Sequence, residues 1–113
     1  MYFWNTGSGP PGFWIDANEA IQFNTWTHIA ATYDGASIAL YVNGMQKSSM
    51  AIGWVNSSSG DLFIGKNTEE PAALNGNIRE VRLWNIARTE EEISANYNEY
   101  ISENEEGLIA YYK

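Results

Sequence analysis

The sequence predicts an all-β fold: an antiparallel β-sandwich of jelly-roll type, carrying one short helix near its C-terminal end. Two tight-turn dipeptides, Asp34-Gly35 and Asn43-Gly44, punctuate stretches whose apolar residues alternate with the period of a strand. Short apolar runs separated by Gly-, Pro-, Ser- and Asn-rich breakers recur along most of the chain, and only one helix is credible, at a capping-box start near the C-terminal end. Many short strands with regular turns are the pattern of a sandwich or a jelly roll.

The elements follow in chain order. Gly7-Ser8-Gly9-Pro10-Pro11-Gly12 is a breaker cluster, so residues 2–4 read as a short first strand followed by a loop. Residues 13–17 and 20–23 read as two short strands around Asn18-Glu19. Residues 26–33 and 38–42 flank Asp34-Gly35 and form the strongest hairpin signal. In its second arm Ile38, Leu40 and Val42 share one face, assigned to the core, while Ala39 and Tyr41 share the other. Asn43-Gly44 tolerates positive φ and leads into a third strand over 45–49.

Residues 56–60 read as a Ser-rich loop, 61–65 as a short strand and 66–76 as an acidic loop broken by Pro71. The last central strand spans 78–84. Its apolar residues split by parity, Ile78 and Trp84 against Val81 and Leu83, which requires burial on both faces or a bulge. Trp26 and Trp84, inside the strongest strand blocks, are assigned to the core. Thr89 stands three residues before Glu92, and acids fill the first turn, so a helix is predicted over 90–97. Ile93 and Tyr97 share its docking face, and a helix this short needs that docking. Residues 108–112 alternate as a closing strand.

Composition narrows the functional classes. The 113 residues, 44% hydrophobic and 18% charged, suffice for one folded domain with a single core. Six Lys and Arg against fourteen Asp and Glu leave a net charge of -8, which repels phosphate backbones and anionic lipid. Nucleic acid is therefore not an expected partner. Membrane insertion is not expected either, since no stretch approaches the roughly 18 apolar residues that span a bilayer. Met1-Tyr2-Phe3-Trp4 has no basic n-region and no sustained apolar h-region, so no signal peptide is read in this chain. The absence of Cys removes disulfides, thiolate metal sites and Cys nucleophiles together, and leaves the compartment open.

Catalytic patterns are scarce. Any Ser-His-Asp or His-metal mechanism would run through His28, the one histidine, which reads as a sheet histidine satisfied by its neighbours. No GxSxG, HExxH or P-loop spacing occurs. Glu90-Glu91-Glu92 belongs to the helix start, Glu103, Glu105 and Glu106 to a polar connector, and Asp34 and Asp61 to turns, so each carboxylate has a structural reading. Stacking on sugar rings suits aromatic side chains, whose flat apolar face complements the C–H face of a pyranose. Trp54, Trp14 and Tyr41 are the ligand-binding candidates, and Trp54, between Gly53 and the Ser-rich loop, has the best claim to exposure.

Four separated blocks resemble a known family: Trp26-Thr27-His28-Ile29-Ala30-Ala31-Thr32-Tyr33-Asp34-Gly35, Ile38-Ala39-Leu40-Tyr41-Val42-Asn43-Gly44, Leu62-Phe63-Ile64-Gly65 and Gly76-Asn77-Ile78-Arg79-Glu80-Val81-Arg82-Leu83-Trp84-Asn85. Their order and spacing are similar to those of the laminin G-like, concanavalin A-like jelly rolls, in the branch that includes pentraxins. The likeness continues through Ala87-Arg88-Thr89-Glu90-Glu91-Glu92-Ile93 and Gly107-Leu108-Ile109-Ala110-Tyr111-Tyr112. It implies binding of glycans, proteins or phosphorylated small molecules, often with calcium, in extracellular or cell-surface proteins. Calcium needs several loop oxygens. The segment after Gly65 offers them at Asn67, Glu69 and Glu70, of which Asn67 and Glu69 match the pentraxin pattern.

Family modules usually begin with further strands, so residues 1–113 are expected to form one laminin G-like domain lacking the family's first strands. A missing neighbour would leave the closing strand with an open edge, from which a homo-oligomer is expected. The function expected on these grounds is a non-catalytic recognition module for carbohydrate or protein surfaces, with calcium as its candidate metal, and not an enzyme. A structural or oligomerisation domain without a small ligand is the second reading, and a small glycosidase is the third.

Overall fold

The computed structural model describes residues 2–3, 13–17, 21–53, 61–66 and 73–113, with the backbone alone at 2, 3, 13 and 14. Asp34 organises its central hairpin. The Asp34 carboxylate accepts from the backbone N–H groups of Ala36 at 2.8 Å and Ser37 at 2.7 Å, and Gly35 supplies a φ of 97°. A short side chain that binds its own backbone in this way fixes a turn locally. It joins β3 (Ile29–Tyr33) to β4 (Ser37–Val42), which pair antiparallel from Ile29↔Val42 to Tyr33↔Ile38. Asn43 and Gly44, at φ 49° and 81°, turn the chain again into β5 (Met45–Ala51), giving a sheet of order β3-β4-β5.

The alternation expected in β4 is present. Ile38, Leu40 and Val42 are buried, and Ile38 and Leu40 pack with Ile15 against Ala17, Tyr33, Met50 and Ile52. Removal of that apolar surface from water is the main force holding these segments together. Tyr41, on the opposite parity, is buried as well, so β4 is covered on both faces toward its C-terminal end. The register between β4 and β5 shifts between Leu40 and Tyr41.

β6 (Val81–Trp84) pairs antiparallel with β7 (Leu108–Tyr112), and its register shifts between Leu83 and Trp84, in keeping with the bulge, one of the two outcomes that the split parity allows. β1 (Tyr2–Phe3) pairs with β2 (Phe13–Trp14). The helix α1 (Glu90–Asn96) opens with the predicted capping box: the Thr89 hydroxyl accepts from the Glu92 N–H at 3.2 Å, and the Glu92 carboxylate accepts from the Thr89 N–H at 2.9 Å. Ile93 is buried, and Glu90 accepts from the backbone N–H of Gln46 at 3.1 Å, tying the helix start to β5. Gly44 lies against the end of the helix, where an added Cβ would stand 2.8 Å from the Tyr97 ring and 3.1 Å from Ser94 Cα.

Several sequence expectations give way. The strand expected over 26–33 begins only at Ile29, and Trp26 is 57% exposed rather than core. The strand expected over 78–84 begins at Val81, because Glu80 adopts a φ of 57°, outside the strand region. Residues 61–65 join no ladder, leaving Leu62, Phe63 and Ile64 exposed, and Lys66↔Ala73 is an isolated bridge. Residues 21–23 likewise form no strand and run into a turn. Among the described residues, no helix is long and apolar enough to cross a membrane.

Candidate functional site

Of the described surface, the segment before β3 carries the most exposed aromatic, Phe23, with a second open ring, Trp26, three residues on. Asn24 takes a φ of 56° and the Thr25 hydroxyl donates to the Phe23 carbonyl at 3.3 Å, so the chain turns at Phe23, which is 97% exposed. Trp26 follows at once. The guanidinium of Arg79 lies 4.5 Å from its ring centre, from the far side of the sequence. A cation over a ring face is attracted by the ring's quadrupole. Since Trp26 remains more than half exposed, it retains open apolar surface with hydrogen-bond donors beside it. Asn24 and Asn77 are exposed in the same two segments.

A second cluster joins β6, β7 and α1. Arg82 forms an ion pair with Glu80 at 3.5 Å, donates to the carbonyls of Asn96 at 2.8 Å and of Glu99, and lies 5.5 Å from the Tyr111 ring centre. The Tyr111 hydroxyl donates to the same Glu80 carboxylate. On the outer side Lys113 stands 5.3 Å from the Tyr111 ring and pairs with Glu103 at 2.6 Å. This ion pair lowers the Glu103 pKa and raises that of Lys113.

His28 sits where this cluster meets the hairpin. Its backbone N–H donates to the Asn43 side chain at 3.0 Å, the Asn43 N–H donates to its carbonyl at 3.0 Å, and its ring is 5.9 Å from that of Tyr97. Burial, and then the positive charge of Arg82, hold its pKa below the usual histidine value, and its Nδ1 is buried with no hydrogen-bond partner. It is a packed, neutral histidine.

The sequence-predicted site residues fare unevenly. Tyr41 is 5% exposed and donates to the Gln46 side chain at 3.4 Å, so it offers no open face for a sugar and instead packs the sheet. Only the backbone of Trp14 is described, in β2. Trp54, Asn67, Glu69 and Glu70 lie outside the described residues. Among the described residues, no group of three or more His, Asp or Glu side chains is placed to hold a metal ion. Phe23 and Trp26 are the aromatics that sequence reasoning missed. The one signal that could have singled out this segment is its polar spacing, Asn24-Thr25 between two rings, which suits a turn better than a strand.

Antiparallel sheets with one docked helix define an all-β module. The chain belongs to the laminin G-like family of the concanavalin A-like lectin/glucanases superfamily, whose profile matches residues 1–94. It is 37% identical over 89 residues to Pappalysin-1 of Mus musculus and 36% identical over 89 residues to Pappalysin-1 of Homo sapiens. Each match takes in 70% of this chain and 5% of the relative, so the chain spans a small part of those proteins. Among solved structures it superposes on a Bacteroides ovatus protein provisionally described as carbohydrate binding, with a TM-score of 0.74 and 30% identity, over 85% of this chain and 30% of that one. An S-layer domain-containing protein of Clostridium thermocellum shares the fold, with a TM-score of 0.57 and 23% identity, over 75% of this chain and 45% of that one.

Proposed function

We propose that the chain is a non-catalytic recognition module that binds carbohydrate, with Trp26 as the stacking residue and Arg79 as its polar neighbour. The observation that carries this reading is the Trp26–Arg79 pair: a tryptophan 57% exposed, backed by a guanidinium at 4.5 Å and flanked by the fully open Phe23. Protein recognition rests on the same kind of surface, because exposed aromatics rimmed by polar groups serve both. The description of the Bacteroides ovatus relative favours the glycan. Family membership supports an extracellular or cell-surface setting.

A non-catalytic role is supported by the structural engagement of five of the described carboxylates. Glu80 is held by Arg82 and Tyr111, Glu92 by the helix cap, Glu90 by Gln46, Glu103 by Lys113 and Asp34 by its turn. Glycoside hydrolysis needs two carboxyl groups facing a common bond. Calcium enters only through the family resemblance, on Asn67, Glu69 and Glu70, and the stacking at Trp26 does not require it.

A glycan array probed with and without calcium tests the proposal. Binding is expected to at least one glycan class, lost in Trp26→Ala and weakened in Arg79→Ala, with Tyr41→Phe behaving as the parent. Hydrolysis of any polysaccharide would overturn the non-catalytic reading. Binding that survives Trp26→Ala would move the site elsewhere.

A further inference from the structure

The segment that leads into β3 and the segment that leads into β6 meet twice. At the first crossing the Arg79 guanidinium lies 4.5 Å from the centre of the Trp26 ring. His28 stands two residues beyond Trp26 and Arg82 three beyond Arg79, and both meet the end of α1. The His28 ring is 5.9 Å from the Tyr97 ring, and Arg82 donates to the Asn96 carbonyl at 2.8 Å. Burial, and then the charge of Arg82, disfavour a proton on His28. Among the described residues, His28 Nδ1 and Arg82 Nε are both buried with no hydrogen-bond partner.

Between the two crossings stands Glu80, at a φ of 57°. A residue other than glycine holds that conformation where its surroundings fix it. Here the carboxylate is fixed by Arg82 at 3.5 Å and by the Tyr111 hydroxyl. The hold of Arg82 on Glu80 therefore sets the direction in which Arg79 leaves the chain toward Trp26.

We propose that His28 is a proton-operated catch on the Trp26–Arg79 pair: a proton on its ring repels Arg82, frees Glu80 and lets Arg79 leave the Trp26 face. The groups around His28 offer that proton no counter-charge among the described residues. From β6 it faces Arg82, and the carboxylate beside Arg82, that of Glu80, is already engaged. From α1 it faces the Tyr97 ring, while Glu90, Glu91 and Glu92 stand in the first turn, at the other end of the helix. From the β4-β5 turn it faces Asn43, which exchanges two hydrogen bonds of 3.0 Å with the His28 backbone. Those bonds keep the His28 backbone on the hairpin, so the repulsion between two facing cations falls on the β6 side. A buried charge without a partner is resolved by opening the site to water. Release of a glycan on opening rests on the recognition reading above; the opening itself does not.

NMR of the ¹⁵N-labelled chain without glycan follows the opening, with the Trp26 indole N–H assigned by its loss in Trp26→Phe. Between about pH 7.5 and about pH 5.5 a histidine titrates and an ordinary carboxylate does not. Over that range the Trp26 resonance is expected to shift in one step centred below the ordinary histidine value of 6.5, and to stay in place in His28→Gln. His28→Phe, which keeps a ring against Tyr97 and takes no proton, is expected to match His28→Gln, so loss of the proton is told apart from a packing defect. The uncharged glycan bound most strongly on the array reads the consequence. Its affinity is expected to fall several-fold at the acid end, within the limit of about tenfold that one proton supplies over one pH unit, and to hold level in both variants. A Trp26 resonance that stays put in the parent, or that moves alike in His28→Gln, would overturn the proposal. So would equal glycan affinity at the two ends of the range. An array with no binding at neutral pH sinks the recognition reading instead, and the resonance still decides the catch.

Discussion

Arg82, on β6, donates from Nη1 to the backbone carbonyl of Asn96, the last residue of α1, at 2.8 Å. The helix has no basic residue in its own last turn, and its terminal carbonyls would otherwise lack a cation to meet the negative end of the dipole. A side chain borrowed from the sheet therefore closes the helix and fastens it to β6.

Replacing this residue tests the fastening. Arg82 is 11% exposed in its side chain and serves Asn96, Glu99, Glu80 and Tyr111 together. Hydrogen bonds to charged groups contribute about 1.5–3 kcal/mol each, so Arg82→Ala should lower the unfolding free energy by at least that amount in urea titrations. Arg82→Lys should recover only part of it, since an ammonium cannot reproduce the planar fork. A loss under about 0.5 kcal/mol would mean that water satisfies these carbonyls equally well.

Leu40 is 4% exposed and belongs to the cluster with Ile15 and Ile38. Leu40→Ala should cost on the order of 2–5 kcal/mol, the range of buried leucine truncations. Measured stability close to that of the parent would contradict the register of β3 and β4.

The capping box predicts a smaller effect. Thr89→Ala should destabilise by roughly 0.5–2 kcal/mol, because the N–H of Glu92 loses its acceptor. Thr89→Ser should be nearly silent, and if both variants unfold alike the hydroxyl is not the cause.

His28 sets a pH dependence with a definite sign. Its folded pKa lies below the unfolded value of 6.5, first through burial and then through Arg82. The neutral form is favoured in the native state, so its contribution is fully present above pH 6.5 and is lost as the pH falls through the folded pKa. Unfolding midpoints should therefore decline below pH 6.5 in the parent, with a shallower decline in His28→Gln. The carboxylates of Asp34, Glu91 and Glu103, whose pKa values are lowered by hydrogen bonds, lose their contributions only in the more acidic carboxylate range. An equal slope in parent and variant near pH 6 would assign the effect to another group.

Much of this architecture is legible in local chemistry. The alternation at Ile38, Leu40 and Val42, the Asx turn at Asp34 and the Thr89–Glu92 box each act within a few residues, and each is present. The split parity of β6 likewise carries over into a bulge. What the sequence conceals depends on distant neighbours. Trp26 looks like core from its own strand block, yet the partner that holds it is Arg79, a cation on the surface. Trp84 is half-buried with the Arg88 guanidinium 4.3 Å from its ring. Tyr41 sits at a position that alternation assigns to the open face, and tertiary packing covers it. The platform at Phe23 and Trp26 was thus hidden by a propensity argument that a single turn at Asn24 overrides.

The two tight turns of the β3-β4-β5 meander also bear on the order in which the chain acquires its shape. Its strands meet after closing loops of a few residues, whereas β6 and β7 must enclose residues 85–107, helix included, before they pair. Short closures sacrifice less chain entropy, so the meander is expected to form in the rate-limiting step and the β6-β7 ladder after it. On a chevron plot, Leu40→Ala should then depress the refolding limb, while Leu83→Ala should leave that limb nearly in place and raise the unfolding limb.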